Sequence, residues 1–398
     1  MDNTDNSAKL GINFVFFVIY MAGLSAFGSF VNDMYLPSLP SMTKFFGCSV
    51  PTVELGLSLG MAGLGLGEFI MGPTSDKYGR KPVLVASLLL FLAAAVISIF
   101  SPTIYFFIVC RFFQGAGAAG GYFLARSMPT DVYGERELAK TMAIIGAING
   151  FAPASAPVIG GLISSHWGWR GVFVALSIFA VILFGFSFKV RETLPKASRV
   201  KISLLKTFTL YKDLLVNRKF MVHVLLKGAA LGVLFIYISS APFIMQTHFG
   251  FSQVKFGIIM GCNSVAVVVG SMLALRFRPL RNASFTGAII LFTSVVAEAI
   301  LIWHGKHFLG YELPLIPMLF ALGMIFTSAN TLAMDEGRAH AGMASAILGI
   351  IGYIFGTVAA PITGSGDILH PTALLLVGVS VIVVICAIIS HRFPSPSE

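Results

Sequence analysis

Charge is what this sequence has least of. Asp, Glu, Lys and Arg make up only 11% of its 398 residues, against about 25% in a soluble domain. That is too few to cover a water-soluble globule of this length, which excludes soluble enzymes, nucleic-acid binders and disordered scaffolds. Cysteine is scarce as well. Cys48, Cys110, Cys262 and Cys386 share no C-x-x-C or zinc-like spacing, so no disulfide framework or metal site is implied. His304 and His307 are spaced for one helix face but lack a third ligand. No G-x-x-x-x-G-K-[ST] sequence occurs, which argues against a built-in ATPase. What remains is 56% hydrophobic and 12% aromatic, with 41 glycines. This is the composition of an integral membrane protein, and no cofactor is expected.

A bilayer core of roughly 30 Å needs about 20 mostly apolar residues as helix. Twelve such runs are expected, near 12–37, 51–73, 82–101, 103–126, 138–164, 167–189, 221–246, 254–276, 283–303, 308–331, 341–363 and 370–391. The first is read as a retained span, because no basic n-region or small-residue cleavage site marks a signal peptide. The fold expected is an all-helical membrane protein of two six-helix bundles. Residues 1–189 and 221–398 form the bundles, and a polar cytoplasmic linker covers 190–220.

The net charge of +10 is orientation charge, not a nucleic-acid footprint. If the N-terminus is inside, the inside segments hold 21 of the 27 basic residues, nine of them between Lys189 and Lys219. The outside loops hold Lys44, Arg170, Lys255 and Lys306, while Arg111 and Lys227 fall within spans. Both termini are therefore expected in the cytoplasm. Basic loops at 77–81 and 276–281 recur about 200 residues apart, each after the second span of its half. Such a recurrence fits a transporter built from two related repeats with the substrate site between them.

The most specific local pattern is Gly72-Pro-Thr-Ser-Asp76-Lys77-Tyr78-Gly79-Arg80-Lys81. Gly72 permits close helix contact and Gly79 a turn with positive φ, Asp76 can face a helix N-terminus, and Arg80 offers a fork to a carboxylate. Asp131, on the next cytoplasmic loop, is the expected partner of Arg80. A pair of this kind latches two helices in one conformation and breaks in the other.

This stretch resembles the loop signature of the major facilitator superfamily. Three further segments narrow the likeness: Asp33-Met-Tyr-Leu-Pro-Ser-Leu-Pro40, Arg111-Phe-Phe-Gln-Gly-Ala-Gly117 and Ala152-Pro-Ala-Ser-Ala-Pro-Val-Ile-Gly-Gly161. With His166-Trp-Gly-Trp-Arg-Gly-Val-Phe173 and Ala341-Gly-Met-Ala-Ser-Ala346, they resemble the Bcr/CflA-type drug-resistance exporters. The resemblance implies a monomeric drug/proton antiporter of the bacterial inner membrane, working by alternating access on small amphipathic substrates. A dedicated metabolite or siderophore exporter is the alternative, with a proton-coupled nutrient importer behind it.

Asp33 is the first candidate for chemistry, because an ionisable side chain inside a span is costly unless it faces a cavity or a partner. The resemblance implies that the acid at this position couples protons to export, whereas the bland reading has it snorkelling beside Tyr35. Arg111 must meet a carboxylate, carbonyls or water; the resemblance gives it a proton-coupling role, and a purely structural tie between spans 4 and 1 stands beside it. Glu68 departs from the family pattern, which commonly has glutamine there. It reads either as a second proton site or as a partner for Lys77 or Arg126.

Arg126 is read as topological, Lys227 as snorkelling to the cytoplasmic surface, and Glu298 as an orphan in span 9. Gly146, Gly150, Pro153, Pro157, Gly160 and Gly161 give span 5 small residues for close packing and prolines that bend it. The resemblance makes this helix the antiporter signature between the halves, although Ala156 stands where the general motif has glycine. Tyr20, Phe30, Tyr122, Tyr237 and Met245, together with Asp33, are the expected lining of a substrate pocket.

Overall fold

The computed structural model describes residues 13–199, 212–304, 307–338, 341–364 and 368–393. Lys201, Lys206 and Lys306 of the charge argument, and the side chains of His304, Ala341 and Gly342, lie outside the described residues.

The chain is helical from end to end of the described segments. α1 (Phe14–Asp33) is followed by a tight turn (Leu36–Ser38) and the short α2 (Leu39–Phe46). The first half continues with α3 (Val50–Tyr78), α4 (Arg80–Ile99), α5 (Ile104–Val132) and the 53-residue α6 (Glu135–Ser187). The second half comprises α7 (Arg218–Phe243), α8 (Gln253–Ala274), α9 (Arg281–His304), α10 (Phe308–Glu336), α11 (Ala341–Thr363) and α12 (Leu369–His391). Asn13, Thr103, Asn217 and Ser252 cap α1, α5, α7 and α8 by accepting from first-turn N–H groups, which serves donors that no helical carbonyl can reach.

Ten helices are long and apolar enough to cross a membrane. One of these is α6, which Gly168 (φ 65°) breaks into two spans, as expected from the sequence. The 29-residue α5 is also long enough at about 1.5 Å per residue; its three charges, Gln114 and its glycines dilute its hydropathy. Twelve spans result. Several edges differ from expectation, α5 running on to Val132 and α10 to Glu336, and two others are instructive. α1 ends at Asp33 and Pro37 sits in the turn beyond it, where the span that continues to Phe46 is interrupted. α3 runs on to Tyr78, through Pro73 and the polar Thr74-Ser75-Asp76, because Gly79 (φ 107°) is the first residue that must leave helical geometry.

In the N-terminal half α3 and α4 pack on α5, and α1 on α5 and α6. In the C-terminal half α9 and α8 pack on α10, and α7 on α11 and α12. The halves meet along two seams, α3 against α11 and α6 against α8. Residues 190–199 do not behave as free linker, since Val190 is fully buried and Glu192, Thr193 and Arg199 join the α3–α4 turn described below.

Candidate transport cavity and its charged groups

A cavity of about 620 Å³ is lined by residues of both halves. Two hollows of about 710 and 680 Å³ lie elsewhere, one walled by the C-terminal half near Arg281 and Asp335, the other by the N-terminal half near Lys81 and Glu192. Of these three, the first has walls from both halves; a smaller hollow of about 210 Å³ between Gly65 and Tyr353 shares that property. The first runs from Pro157 and Met260 to Gly146 and Leu275, and so reaches toward the end of the molecule that carries Arg80 and Asp131, the latch end.

The opposite end is sealed. Four hydrogen bonds between described residues of the two halves lie on that side. Gln246 Nε2 donates to the Pro37 carbonyl (3.0 Å), Ser164 Oγ to Gln253 Oε1 (2.9 Å), Thr363 Oγ1 to Glu54 Oε1 (2.9 Å) and Thr357 Oγ1 to the Ser58 carbonyl (3.2 Å). Backbone closeness supports them. A Cβ on Gly257 would strike the Pro157 carbonyl, and one on Gly261 would come within 2.7 Å of the Ala154 carbonyl. Only glycine allows α6 and α8 to approach so closely.

Asp33, the last residue of α1, is half-buried on the cavity wall with Ser29. Arg111 lies behind it, fully buried. Its Nη1 donates to Gln114 Oε1 (2.7 Å) and its Nη2 to Asn32 Oδ1 (3.5 Å), and the guanidinium stacks on the Tyr35 ring at 4.3 Å. Gln114 in turn donates to Ser98 Oγ (2.9 Å). Asp33 and Arg111 act on each other's charge without forming a salt bridge. The arginine therefore ties α5 to the end of α1 through neutral groups and an aromatic face, and leaves the Asp33 carboxyl to the cavity.

The α3–α4 turn is built around Arg80. Its Nη1 meets Asp76 Oδ1 (2.6 Å) and Ser75 Oγ (2.7 Å), and its Nε meets Asp131 Oδ2 (3.0 Å) on α5. The Arg80 backbone N–H donates to Glu192 Oε1 (2.9 Å), and Thr193 Oγ1 donates to the same Asp131 oxygen (3.0 Å). Lys81 Nζ reaches the Phe188 carbonyl (3.4 Å), and Gly72 faces Phe123. A side chain at Gly79 would overlap the Glu192 carboxylate and Arg199.

Of the antiporter-motif residues, Gly146, Gly150, Pro153 and Pro157 line the cavity. Gly160 and Gly161 lie beyond it in the sealed zone, against the backbone of Met34 and of Gln253. Tyr122 and Tyr237 stand on the wall, but three of the expected pocket residues do not. Tyr20 is buried and donates to the Leu183 carbonyl (3.0 Å). Phe30 packs edge-on against Phe179. Met245 is fully buried in the π-turn Ile244–His248 that ends the seventh span. In each case packing against neighbouring helices takes the side chain instead.

Two bland readings are corrected. Lys227 does not snorkel: its Nζ donates to Asn330 Oδ1 (2.8 Å), and its charge acts on Glu68 and Arg126 of the other half. Arg126 is more than a topological charge, because it stacks on Tyr122 at 4.2 Å, donates to that tyrosine's hydroxyl and faces Glu68. Glu68 is thus flanked by two cations, neither of which forms a salt bridge among the described residues, and its Oε1 has no hydrogen-bond partner. Glu298 is 1% exposed with Oε2 unpartnered, close enough to Glu312 for their charges to interact.

Sequence reasoning passed over Asn149, Asn263 and Glu54. Asn149 accepts from Ser25 (2.7 Å) and Asn263 donates to the Tyr237 hydroxyl (3.1 Å), both on the cavity wall. A hydrophobic span with one amide every few turns carries no pattern that singles these residues out.

The sequence matches the Major Facilitator Superfamily over residues 20–361. The chain belongs to that superfamily. Its members are membrane transporters, so this chain is a multi-pass transporter of small molecules and not an enzyme. It is 32% identical over 351 residues to the protein named uncharacterized MFS-type transporter YdgK of Bacillus subtilis strain 168, covering 86% of this chain and 87% of that one. It is 27% identical over 342 residues to the multidrug resistance protein MdtL of Escherichia coli O81, covering 85% and 83%. Among solved structures, a bacterial homologue of the lysosomal transporter Spinster, inward-facing and unoccupied, superposes with a TM-score of 0.73 at 15% identity, covering 98% of this chain and 96% of that one. The D-xylose-proton symporter superposes with a TM-score of 0.71 at 16% identity, covering 97% and 99%. These two show the fold alone.

Proposed function

We propose that this superfamily transporter is a proton-coupled exporter of small amphipathic molecules or drugs, of the Bcr/CflA type, in the bacterial inner membrane. The observation that carries the reading is the Asp33 carboxyl on the wall of the cavity that both halves share, with Arg111 held off by neutral partners. A proton and a substrate compete for that wall. Protonation of Asp33 releases the substrate, and loss of the proton restores the binding form. The mostly apolar surface of Leu231, Leu234, Val267 and Phe326 suits amphipathic cargo, and the relatives named for multidrug resistance favour the same reading.

The excess of Lys and Arg in the loops on the latch side makes that side cytoplasmic, so the cavity faces inward. The membrane potential supplies about 2.3 kcal/mol per charge per 100 mV and a pH unit about 1.4 kcal/mol, enough for modest uphill export without nucleotide hydrolysis. The protein works as a monomer.

The test is ethidium and chloramphenicol flux in proteoliposomes with an imposed pH gradient. The wild type accumulates drug against its gradient. Asp33→Asn loses gradient-driven accumulation at least tenfold while its abundance and its substrate binding persist. Undiminished uphill flux in that variant would overturn the coupling role. A second reading, a dedicated exporter of a metabolite, has Arg126 and Lys227 in its favour. Arg126 adjoins Tyr122 of the cavity wall and Lys227 acts on Arg126, without either cation lining the cavity, and competition by anionic rather than cationic compounds would select that reading.

A further inference from the structure

Glu54 lies outside the cavity and outside the motifs that point to drug export. It is on the first turns of α3, at the sealed end, and is fully buried. Its Oε1 accepts from Thr363 Oγ1 of α11 (2.9 Å), and Thr363 Oγ1 lies 3.3 Å from Ser239 Oγ of α7. Its Oε2 has no side-chain partner and abuts the backbone of Gly364, where a Cβ would come within 2.8 Å. One carboxyl of the N-terminal half is thus enclosed by two helices of the C-terminal half.

The charged and titratable groups around it are few. Tyr35, beyond α1, acts on Glu54 and covers Arg111 of α5, whose guanidinium is stacked on its ring. Asp33 lies beyond that arginine, on the cavity side. Among the described residues, α11 and α7 bring the hydroxyls of Thr363 and Ser239, and the Gly364 backbone also hydrogen-bonds the carboxyl; Tyr353 of α11 lies further toward the latch end, against Gly65. α4 has no titratable side chain between Lys81 and Ile99. Lys44 of α2 is exposed, and no salt bridge reaches Glu54 among the described residues. An ionised carboxylate buried without a cation is strongly disfavoured, whereas a carboxylic acid can be enclosed with its hydrogen bonds.

We propose that Glu54 is a second proton-binding site, placed in the seal between the halves, and that sealing takes up a proton there. Opening that end withdraws Thr363 and Gly364, exposes the carboxyl to water and returns the proton to the side that has opened. The acid form keeps Oε1 as acceptor for Thr363. The step needs no participation of Asp33 and rests only on the two halves moving apart at this end.

The test reads conformation, so its failure is distinct from a failure of drug export. Spin labels are placed at Tyr105→Cys on α5 and Leu309→Cys on α10, both highly exposed first-turn positions at the sealed end. The background has Cys48, Cys110, Cys262 and Cys386 replaced by Ala. Inter-label distances are measured by double electron–electron resonance between pH 5 and 9 without substrate. In the wild type the sealed-to-open ratio falls as pH rises, approaching about tenfold per pH unit, the slope for one linked proton. Glu54→Gln, a neutral mimic of the acid, stays sealed throughout. Thr363→Val keeps the pH dependence but moves its midpoint to lower pH by weakening the seal, and supplies the readout should Glu54→Gln fold poorly. A wild-type ratio that ignores pH, a Glu54→Gln curve that overlays it, or an unmoved midpoint in Thr363→Val would overturn the proposal.

Discussion

In the N-terminal half the α3–α4 turn sets Arg80 against Asp76 and Asp131, and Glu192 closes over its backbone. In the C-terminal half the α8–α9 connection occupies the corresponding place. It carries Arg276, Arg278 and Arg281 without an acidic residue, and Arg281 donates to the Phe393 carbonyl next to α12. The cavity walls differ in the same sense. The N-terminal half contributes Asp33, Asn149 and two helix-bending prolines, while the C-terminal half contributes Tyr237, Asn263, Met260 and an apolar surface. Repeated architecture therefore does not mean repeated chemistry: on the cavity wall the carboxylate comes from the N-terminal half and most of the apolar surface from the C-terminal half.

This contrast can be broken at graded cost. Removal of Arg111 has the largest structural effect. Arg111→Ala leaves Gln114 and Asn32 without their donor and Tyr35 without its cation, and each buried polar group left unpartnered costs about 1–3 kcal/mol. Expression yield and thermal stability in detergent should both fall sharply, while Arg111→Lys recovers part of the loss. Next come the two latch-end loops. Arg80→Ala should slow substrate exchange about tenfold by removing an inter-helix ion pair that is largely shielded from water, whereas Arg281→Ala should change it less than threefold; equal effects would erase the distinction between the halves.

Asn263→Ala and Tyr237→Phe should alter the apparent affinity for individual drugs by about threefold to tenfold, the scale of one hydrogen bond, without shifting the pH dependence of uphill flux. A shift would move proton chemistry into the C-terminal half. The smallest effect is expected at Arg338, whose pair with Asp335 is largely exposed. Arg338→Gln should leave melting within about 1 kcal/mol of the wild type, as for surface pairs generally.

The twelve spans were legible because apolar length is a one-dimensional signal, and even the break at Gly168 left its mark in the polar His166-Trp-Gly-Trp-Arg stretch. The end of α3 was less visible, since Thr74, Ser75 and Asp76 read as loop by polarity while their backbone stays helical. Asp33 and Arg111 stood out as ions in apolar surroundings, and the structure sets both beside the cavity. Tyr20 and Met245 were misplaced for the opposite reason. An aromatic or methionine in an apolar helix fits a cavity wall and a buried interface equally well, and only the packing of neighbouring helices decides. Glu54 was passed over because it lies near a span edge, where a carboxylate carries no signal, and its partner Thr363 is more than 300 residues away in the chain.

The contact between α6 and α8 has a mechanical consequence. Where Gly257 and Gly261 lie against the carbonyls of Pro157 and Ala154, backbone meets backbone and no long side chains interlock. Two such surfaces can roll past each other like smooth shafts, because few rotamers need to be disengaged before the angle between them changes. A bulky residue at either glycine would act as a cog tooth, fixing one angle of tilt and halting the rocking while leaving every charged group in place.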